Sequence, residues 1–393
     1  MNPRRLAILT GGGDVPGLNS VIRSVVLEAE SMGCEVIGIR RGWLGLVQMQ
    51  PGAQPDGRWA VRLDRDNTHG IDRTGGTILH TSRTNPARVA RAALPAHLHS
   101  ERLPGLEVEP GVYDLTPVVL ENLAALGCQA LVVVGGDDTL GYAQVLAARG
   151  FPLVGIPKTM DNDVAGTEYC IGFSTAITRA RELINRQRTT LASHERIGVF
   201  RIFGRDAGFT ALYAAGVTFG RCVIPEVPFE LDHLAALLVE DKRRNPSSYA
   251  FVIASEGAAW KGYRPEATGE PDAYGHRRKA DIGIALAEAL QRRTGEEVIA
   301  SNLTYDLRSG EADMLDQLVA VTFAGLAMDM VREDRFGCMT AVVGGRYACA
   351  PLPPAGAGTR RLDVARLYDA SGLCPRYSGR LGLPLLLGDV SGL

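Results

Sequence analysis

Three things are scarce in this 393-residue sequence, and each scarcity removes a class of protein. Paired cysteines are the first: the seven, at positions 34, 128, 170, 222, 338, 349 and 374, are odd in number and form no CxxC pair. That argues against a disulfide framework and against a structural zinc. Charge of one sign is the second, since 42 Lys and Arg face 44 Asp and Glu for a formal charge of -2. Neither a basic excess for nucleic acid nor an acidic tail is present, so basic residues must act locally. Long apolar runs are the third. Behind Arg4 and Arg5 only Leu6 to Leu9 precede the first glycines, short of the roughly 7 to 15 apolar residues of a signal peptide. No window approaches the roughly 18 uninterrupted apolar residues of a membrane span. We therefore expect a protein of the reducing cytoplasm that binds neither membrane nor nucleic acid.

What is present is an alternation of apolar runs and helical periods, with 46% apolar side chains, enough to bury a large core in two domains. Leu6 to Leu9 reads as a strand, Gly11 to Gly13 as a loop, and Leu18, Val21, Ile22, Val25, Val26 and Ala29 as one helix face. Val36 to Ile39 reads as a second strand; residues 50–75 read mostly as loop and 95–113 as a surface excursion. Thr116 is a plausible N-cap with Pro117 at the first helical position. The strand Ala130 to Val134 then delivers Gly135-Gly136-Asp137-Asp138-Thr139, and a helix from about Leu140 to Arg149 leads to the strand Leu153 to Ile156. That strand delivers Pro157-Lys158-Thr159-Met160-Asp161-Asn162-Asp163. From Ala176 to Ala300 strands and helices continue to alternate, which we read as a second α/β domain. Alternation of this kind predicts parallel sheets with ligands at the carboxyl ends of the strands.

Three loops so placed suit phosphoryl transfer. Glycines between strand and helix let backbone N–H groups approach phosphate oxygens. Asp137, just past a buried strand, is placed to hold a Mg2+ that bridges phosphates; taken alone, it reads more readily as an N-cap for the helix starting near Leu140. Asp161 is placed to take a proton from a substrate hydroxyl and Lys158 to stabilise the transferring group, although Asp161 and Asp163 also fit an Asx-rich turn. Arg83, Arg196, Arg205 and Arg308 are candidate phosphate forks.

These motifs resemble the phosphofructokinase family, in order over roughly residues 4 to 345. The resemblance rests on Gly11 to Asn19, Gly75-Gly76-Thr77 with Arg83, the GGDDT loop, Thr159 to Asp163, Gly204-Arg205 and Pro225-Glu226-Val227. It implies two Rossmann-like parallel-sheet domains with the active site in the cleft between them. Residues 1–172 with about 307–350 would bind the phosphoryl donor, 173–306 would bind fructose 6-phosphate, and 351–393 is an extension of uncertain placement. Gly12 would bind the donor, Asp137 the Mg2+, and Asp161 would be the base toward the sugar 1-hydroxyl. Thr159, Met160, Gly204, Arg205, Glu256 and Arg308 match substrate positions, as do Phe203, where methionine is common, and Tyr305, where histidine is usual. A second cross-subunit arginine of bacterial members is replaced by Ile299. Arg196 matches an arginine that reaches into a neighbouring subunit's site, which implies a homodimer or homotetramer.

Asp138 and Lys158 resemble pyrophosphate-dependent members, where ATP-dependent ones commonly carry glycine at both. An aspartate there would crowd and repel an ATP α-phosphate while leaving room for pyrophosphate. The expected activity is thus Mg2+-dependent, reversible phosphorylation of fructose 6-phosphate by pyrophosphate, with Asp138, Lys158 and Arg83 on the donor, in glycolysis or gluconeogenesis. An ATP-dependent enzyme of the same fold is the nearest rival, and a non-catalytic sugar-phosphate sensor a more distant one.

Overall fold

The computed structural model describes residues 5–376, apart from residues 51, 53–54, 56, 99, 264–266, 271–273, 275–277 and 280. Its first half runs β1 (Arg5–Thr10), α1 (Leu18–Ser31), β2 (Glu35–Ile39), α2 (Trp43–Gln48), β3 (Ala60–Leu63), α3 (Thr116–Ala125), β4 (Ala130–Gly135), α4 (Asp137–Ala148) and β5 (Leu153–Pro157). The second unit follows as α5 (Phe173–His194), β6 (Ile197–Ile202), α6 (Phe209–Thr218), β7 (Arg221–Val223), α7 (Leu231–Arg244), β8 (Ala250–Ser255), α8 (Ile282–Thr294) and β9 (Val298–Leu303). The chain then returns through α9 (Met314–Arg332), β10 (Cys338–Val343) and β11 (Arg346–Pro351) to the first sheet.

That first sheet has the order β11-β10-β5-β4-β1-β2-β3. Its inner strands are parallel, whereas the edge strands β3 and β11 run antiparallel to their neighbours. Every residue of β4 is buried, as expected of an apolar strand covered by helices on both faces. The chain leaves β1 toward β2 on one side and later returns as β4 on the other. The switch point therefore lies between the ends of β1 and β4, where α/β sheets collect ligands. The second sheet, β7-β8-β6-β9, is wholly parallel. Phe203, Glu256 and Thr304 directly follow β6, β8 and β9, and they face the ends of the first sheet's strands across a cleft of about 840 Å³.

Several boundaries differ from the sequence reading. Residues 50–75 include the edge strand β3, and the 95–113 excursion contributes to a small three-stranded sheet of Val89–Ala90, Glu107–Glu109 and Val112–Tyr113. Leu115, not Thr116, caps α3. Helix α4 begins at Asp137 rather than near Leu140, with Gly136 as N-cap in extended backbone. Asp137 and Asp138 thus occupy the first turn, where acidic side chains complement the helix dipole. The extension also has a place: its described part runs from β11 back over the second unit, with Tyr368 Oη donating to the Cys222 carbonyl (2.8 Å) and Cys222 N–H to Leu373 (2.8 Å). Residues 377–393 lie outside the described residues.

One buried carboxylate ties the units together. Helix α9 is long and apolar enough to cross a bilayer by length and composition, yet it packs on α1 and carries Asp316 fully buried. Asp316 accepts hydrogen bonds from Tyr169 Oη (2.7 Å), Gly172 N–H (2.8 Å), Thr175 N–H (2.7 Å) and Thr175 Oγ1 (2.6 Å). It caps the start of α5 from a distant helix, offsetting the burial that pushes its pKa up to about 6. Replacing Asp316 with alanine leaves four buried donors without a partner, so denaturant unfolding should show a loss of about 3 kcal/mol. Asp316→Asn should recover part of it.

Candidate active site

Three loops of the first sheet and three of the second build the cleft. Residues 11–14 follow β1, and Gly12 takes φ +81°, a conformation that favours glycine. The loop is pinned from both sides. Gly12 N–H donates to the Ser82 carbonyl (3.0 Å) and Thr81 Oγ1 to the Gly12 carbonyl (2.6 Å). From β5, Lys158 Nζ donates to the Gly13 carbonyl (2.7 Å) and stands 3.0 Å from where a Gly12 Cβ would be. Lys158 is buried, unlike most lysines. Burial pushes its pKa down to about 8; Asp137 and Asp14 pull it up, and Arg83 and Arg308 oppose them.

Beyond Lys158, Thr159 Oγ1 accepts the Asp161 N–H (3.2 Å) and Thr210 Oγ1 donates to the Met160 carbonyl (3.2 Å), fixing the entry to the turn. Asn162 sits at φ +55°. Its side chain locks the turn by donating to the Glu168 carbonyl (3.0 Å) and accepting from Cys170 N–H (2.8 Å). Oδ1 of Asp161 is buried and accepts no hydrogen bond from any described group. Burial first, then Glu256, raises the Asp161 pKa to about 7, while Arg205 opposes the shift. Asp163 is pushed well above the usual carboxylate range by burial and by Asp161.

On the opposite wall, Gly204 has φ +125° and a Cβ there would lie 2.7 Å from the Ala207 carbonyl oxygen; this tight turn presents Arg205, which pairs with Asp206 (2.8 Å). Arg308 stacks on Tyr305 and Phe203, its guanidinium carbon 4.8 and 5.4 Å from the two ring centroids, and lies 3.7 Å from Asp14. Glu256 pairs with Arg201 (3.2 Å).

Of the residues singled out in the sequence, the structure brings Gly12, Arg83, Asp137, Asp138, Lys158, Thr159, Met160, Asp161, Phe203, Arg205, Glu256, Tyr305 and Arg308 to the walls of one cleft, with Gly204 in the turn behind. Arg196 is not among them. It precedes β6, at the end of the strand away from Phe203, and pairs with Glu297 (2.6 Å); six extended residues separate it from its own cleft by about 20 Å. Sequence reasoning missed Arg201, whose Nε is buried without a hydrogen-bond partner among the described residues, and the Thr81–Ser82 pins. Their signal is only spatial, because loops distant in sequence supply them.

A divalent cation fits this chemistry. Among the described residues no group of three His, Cys, Asp or Glu is arranged to hold a metal unaided. Mg2+ is commonly held by one or two carboxylates together with substrate phosphates and water. Asp137 is such a carboxylate, and its charge is felt at Lys158, Asp161, Asp163 and Arg205. Interleaved anions and cations in a half-buried cleft suit a polyphosphate and its metal.

Comparison with known proteins agrees with the geometry. A family model described as phosphofructokinase matches residues 5–331. The pyrophosphate--fructose 6-phosphate 1-phosphotransferase of Amycolatopsis methanolica is 38% identical over 371 residues, covering 93% of this chain and 98% of its own. The ATP-dependent 6-phosphofructokinase 3 of Streptomyces coelicolor is 36% identical over 370 residues with the same coverage. Among solved structures, a pyrophosphate-dependent phosphofructokinase from Marinobacter aquaeolei superposes with a TM-score of 0.73 at 18% identity, over 95% of this chain and 89% of that one.

Proposed function

The chain belongs to the phosphofructokinase family and is an enzyme of that family, and from this premise we propose that it transfers a phosphoryl group from pyrophosphate to the 1-hydroxyl of fructose 6-phosphate. The relatives carry both donor names, so the choice of pyrophosphate rests on this chain's own residues. The observation that carries it is Lys158: a buried ammonium bound to the glycine loop, in the same cleft as the half-buried Asp138. A cation there stabilises charge on the transferring phosphoryl. An anion in the same wall disfavours the longer, more highly charged nucleotide tail.

In the proposed reaction the first unit holds the donor over the glycine loop, and the second holds the sugar phosphate at Arg205 and Arg308, with Tyr305 and Phe203 against the Arg308 guanidinium. Asp161 takes the proton of the 1-hydroxyl as that oxygen attacks the terminal phosphorus of pyrophosphate. The bridging P–O bond breaks, and phosphate leaves with its new electron pair. Mg2+, when held by Asp137, would neutralise the donor's oxygens. In-line placement does most of the remaining work. We expect the transfer to be reversible, with the same residues serving the reverse reaction. Arg196, turned away from its own cleft, is assigned to the site of a neighbouring copy, in a dimer or tetramer.

The test is a parallel assay with pyrophosphate and ATP at equal free Mg2+, followed as fructose 1,6-bisphosphate formed. We expect kcat/KM with pyrophosphate to exceed that with ATP by about 10²-fold or more, the order set by one misplaced charge of a few kcal/mol. Equal or better use of ATP would replace pyrophosphate with the nucleotide as donor.

A further inference from the structure

The proposed chemistry leaves unexplained how the described strap beyond β11 touches the site. After Pro351 the strap packs Leu352 near Gly155 of β5 and Ala355 against Gly141 of α4. It then passes the turn that carries Asp161. There Arg360 N–H donates to the Asp163 carbonyl (2.6 Å) and Arg360 Nη2 to the Asn162 carbonyl (2.7 Å). Its guanidinium carbon lies 4.3 Å from the ring centroid of Phe209, the first residue of α6. Two residues on, Leu362 N–H donates to Glu226 Oε1 (3.1 Å), the same oxygen that receives Gly208 N–H (3.0 Å). One short stretch therefore grips the turn of the first unit and the Gly204–Gly208 loop of the second.

This grip sits where the turn is weakest. Asn162 is a non-glycine residue at positive φ, a conformation that persists only when its surroundings enforce it. The Asn162 side chain enforces it from the Glu168–Cys170 side; Arg360 enforces it from the other by satisfying two successive backbone carbonyls. Burial disfavours the Arg360 charge, and its Nε is buried without a hydrogen-bond partner among the described residues, so the guanidinium is retained despite a desolvation cost.

We propose that Arg360 is a positioning residue: through the carbonyls of Asn162 and Asp163 it holds the turn in its strained form and thereby sets the Asp161 carboxylate against the reacting hydroxyl. This rests on the assignment of Asp161 as the base. Displacing a catalytic group by about 1 Å costs roughly 10²-fold in rate, and binding groups elsewhere in the cleft are untouched. The loss should therefore fall on kcat rather than on KM.

The full chain is assayed as Arg360→Met, Arg360→Lys, Arg221→Met and Asp161→Asn, with melting curves for each. Arg221 anchors the far end of the strap at the Gly372 carbonyl and pairs with Asp241, away from the turn. Arg360→Met should lower kcat about 10²-fold with both KM values within about threefold, and Arg360→Lys should return about tenfold of that loss. Arg221→Met should lower the melting temperature and leave kcat within about threefold. If Arg360→Met does not accumulate folded, the lysine variant decides, with a kcat loss of about tenfold expected. Wild-type kcat in the folded Arg360 variants, or an equal kcat loss in Arg221→Met, overturns the assignment. Wild-type turnover in Asp161→Asn instead overturns the reading of the site on which it rests.

Discussion

Asp161→Asn is expected to lower kcat by about 10³- to 10⁴-fold, at the upper end of what a positioned general base contributes, with little change in KM for fructose 6-phosphate. Asparagine keeps the size and the Thr159 contact to the backbone, so folding is spared. What is lost is a carboxylate oxygen that is buried, lines the cleft and is bound by no described group. Burial and the nearby Glu256 raise its pKa to about 7, which makes it a stronger base than a surface aspartate and places its titration near neutrality. The sign follows: below about pH 7 the Asp161 carboxyl takes up a proton and ceases to act as a base, so kcat/KM falls on the acid side. Lys158, lowered to about 8, loses its cation as pH rises and sets the alkaline fall. An anionic donor beside Lys158 raises that pKa, so the alkaline limb should shift upward in kcat relative to kcat/KM for the donor. In Asp161→Asn the acid limb should disappear from the residual activity. A variant that keeps turnover within tenfold of the wild type, or keeps the acid limb, removes Asp161 from the role of base.

The site loops were legible in the sequence because they are punctuated by strand ends. Gly11 to Gly13 follow one apolar run, Gly135 and Gly136 a second, and Pro157 and Lys158 a third. All three runs are central strands whose partners follow from α/β alternation. The acid-rich edge of α4 was harder: Asp137 reads as a loop ligand or a cap, and only the extended backbone at Gly136 shows that it opens the helix. Edge strands were the least legible. β3 and β11 run antiparallel and are partly exposed, so they lack the continuous apolar run that marks β4. Arg360 gave no local signal at all, since it follows a Pro/Gly-rich link and acquires meaning only by meeting Asn162 from 198 positions away. Arg196 illustrates the converse. The resemblance assigns it to a neighbouring subunit's sugar-phosphate site, and its position before β6 puts it beyond reach of the cleft in its own chain.

The second large effect is a change of donor. Lys158→Gly should lower kcat/KM with pyrophosphate by about 10²- to 10³-fold, the loss seen when one preorganised charge partner of a transition state is removed. The structure argues for so large a figure because Lys158 is not a solvated side chain: it is buried and bound to Gly13. Arg308 also stands beside this loop, 3.7 Å from Asp14, but Lys158 is hydrogen-bonded to the loop's own backbone. Asp138→Gly acts oppositely, relieving bulk and negative charge in the first turn of α4 without touching Lys158. It should raise kcat/KM with ATP by at least about tenfold, equivalent to about 1.4 kcal/mol of relieved repulsion. Combined, the two changes should reverse the donor preference, since the first removes what favours the small anhydride and the second what opposes the nucleotide. Coupling between the sites is expected, as both lie on one wall. The measurement is kcat/KM for each donor in the two single variants and the double, at fixed free Mg2+. Undiminished pyrophosphate turnover in the double variant would show that neither side chain selects the donor, and selection would then have to reside in the backbone of the glycine loop.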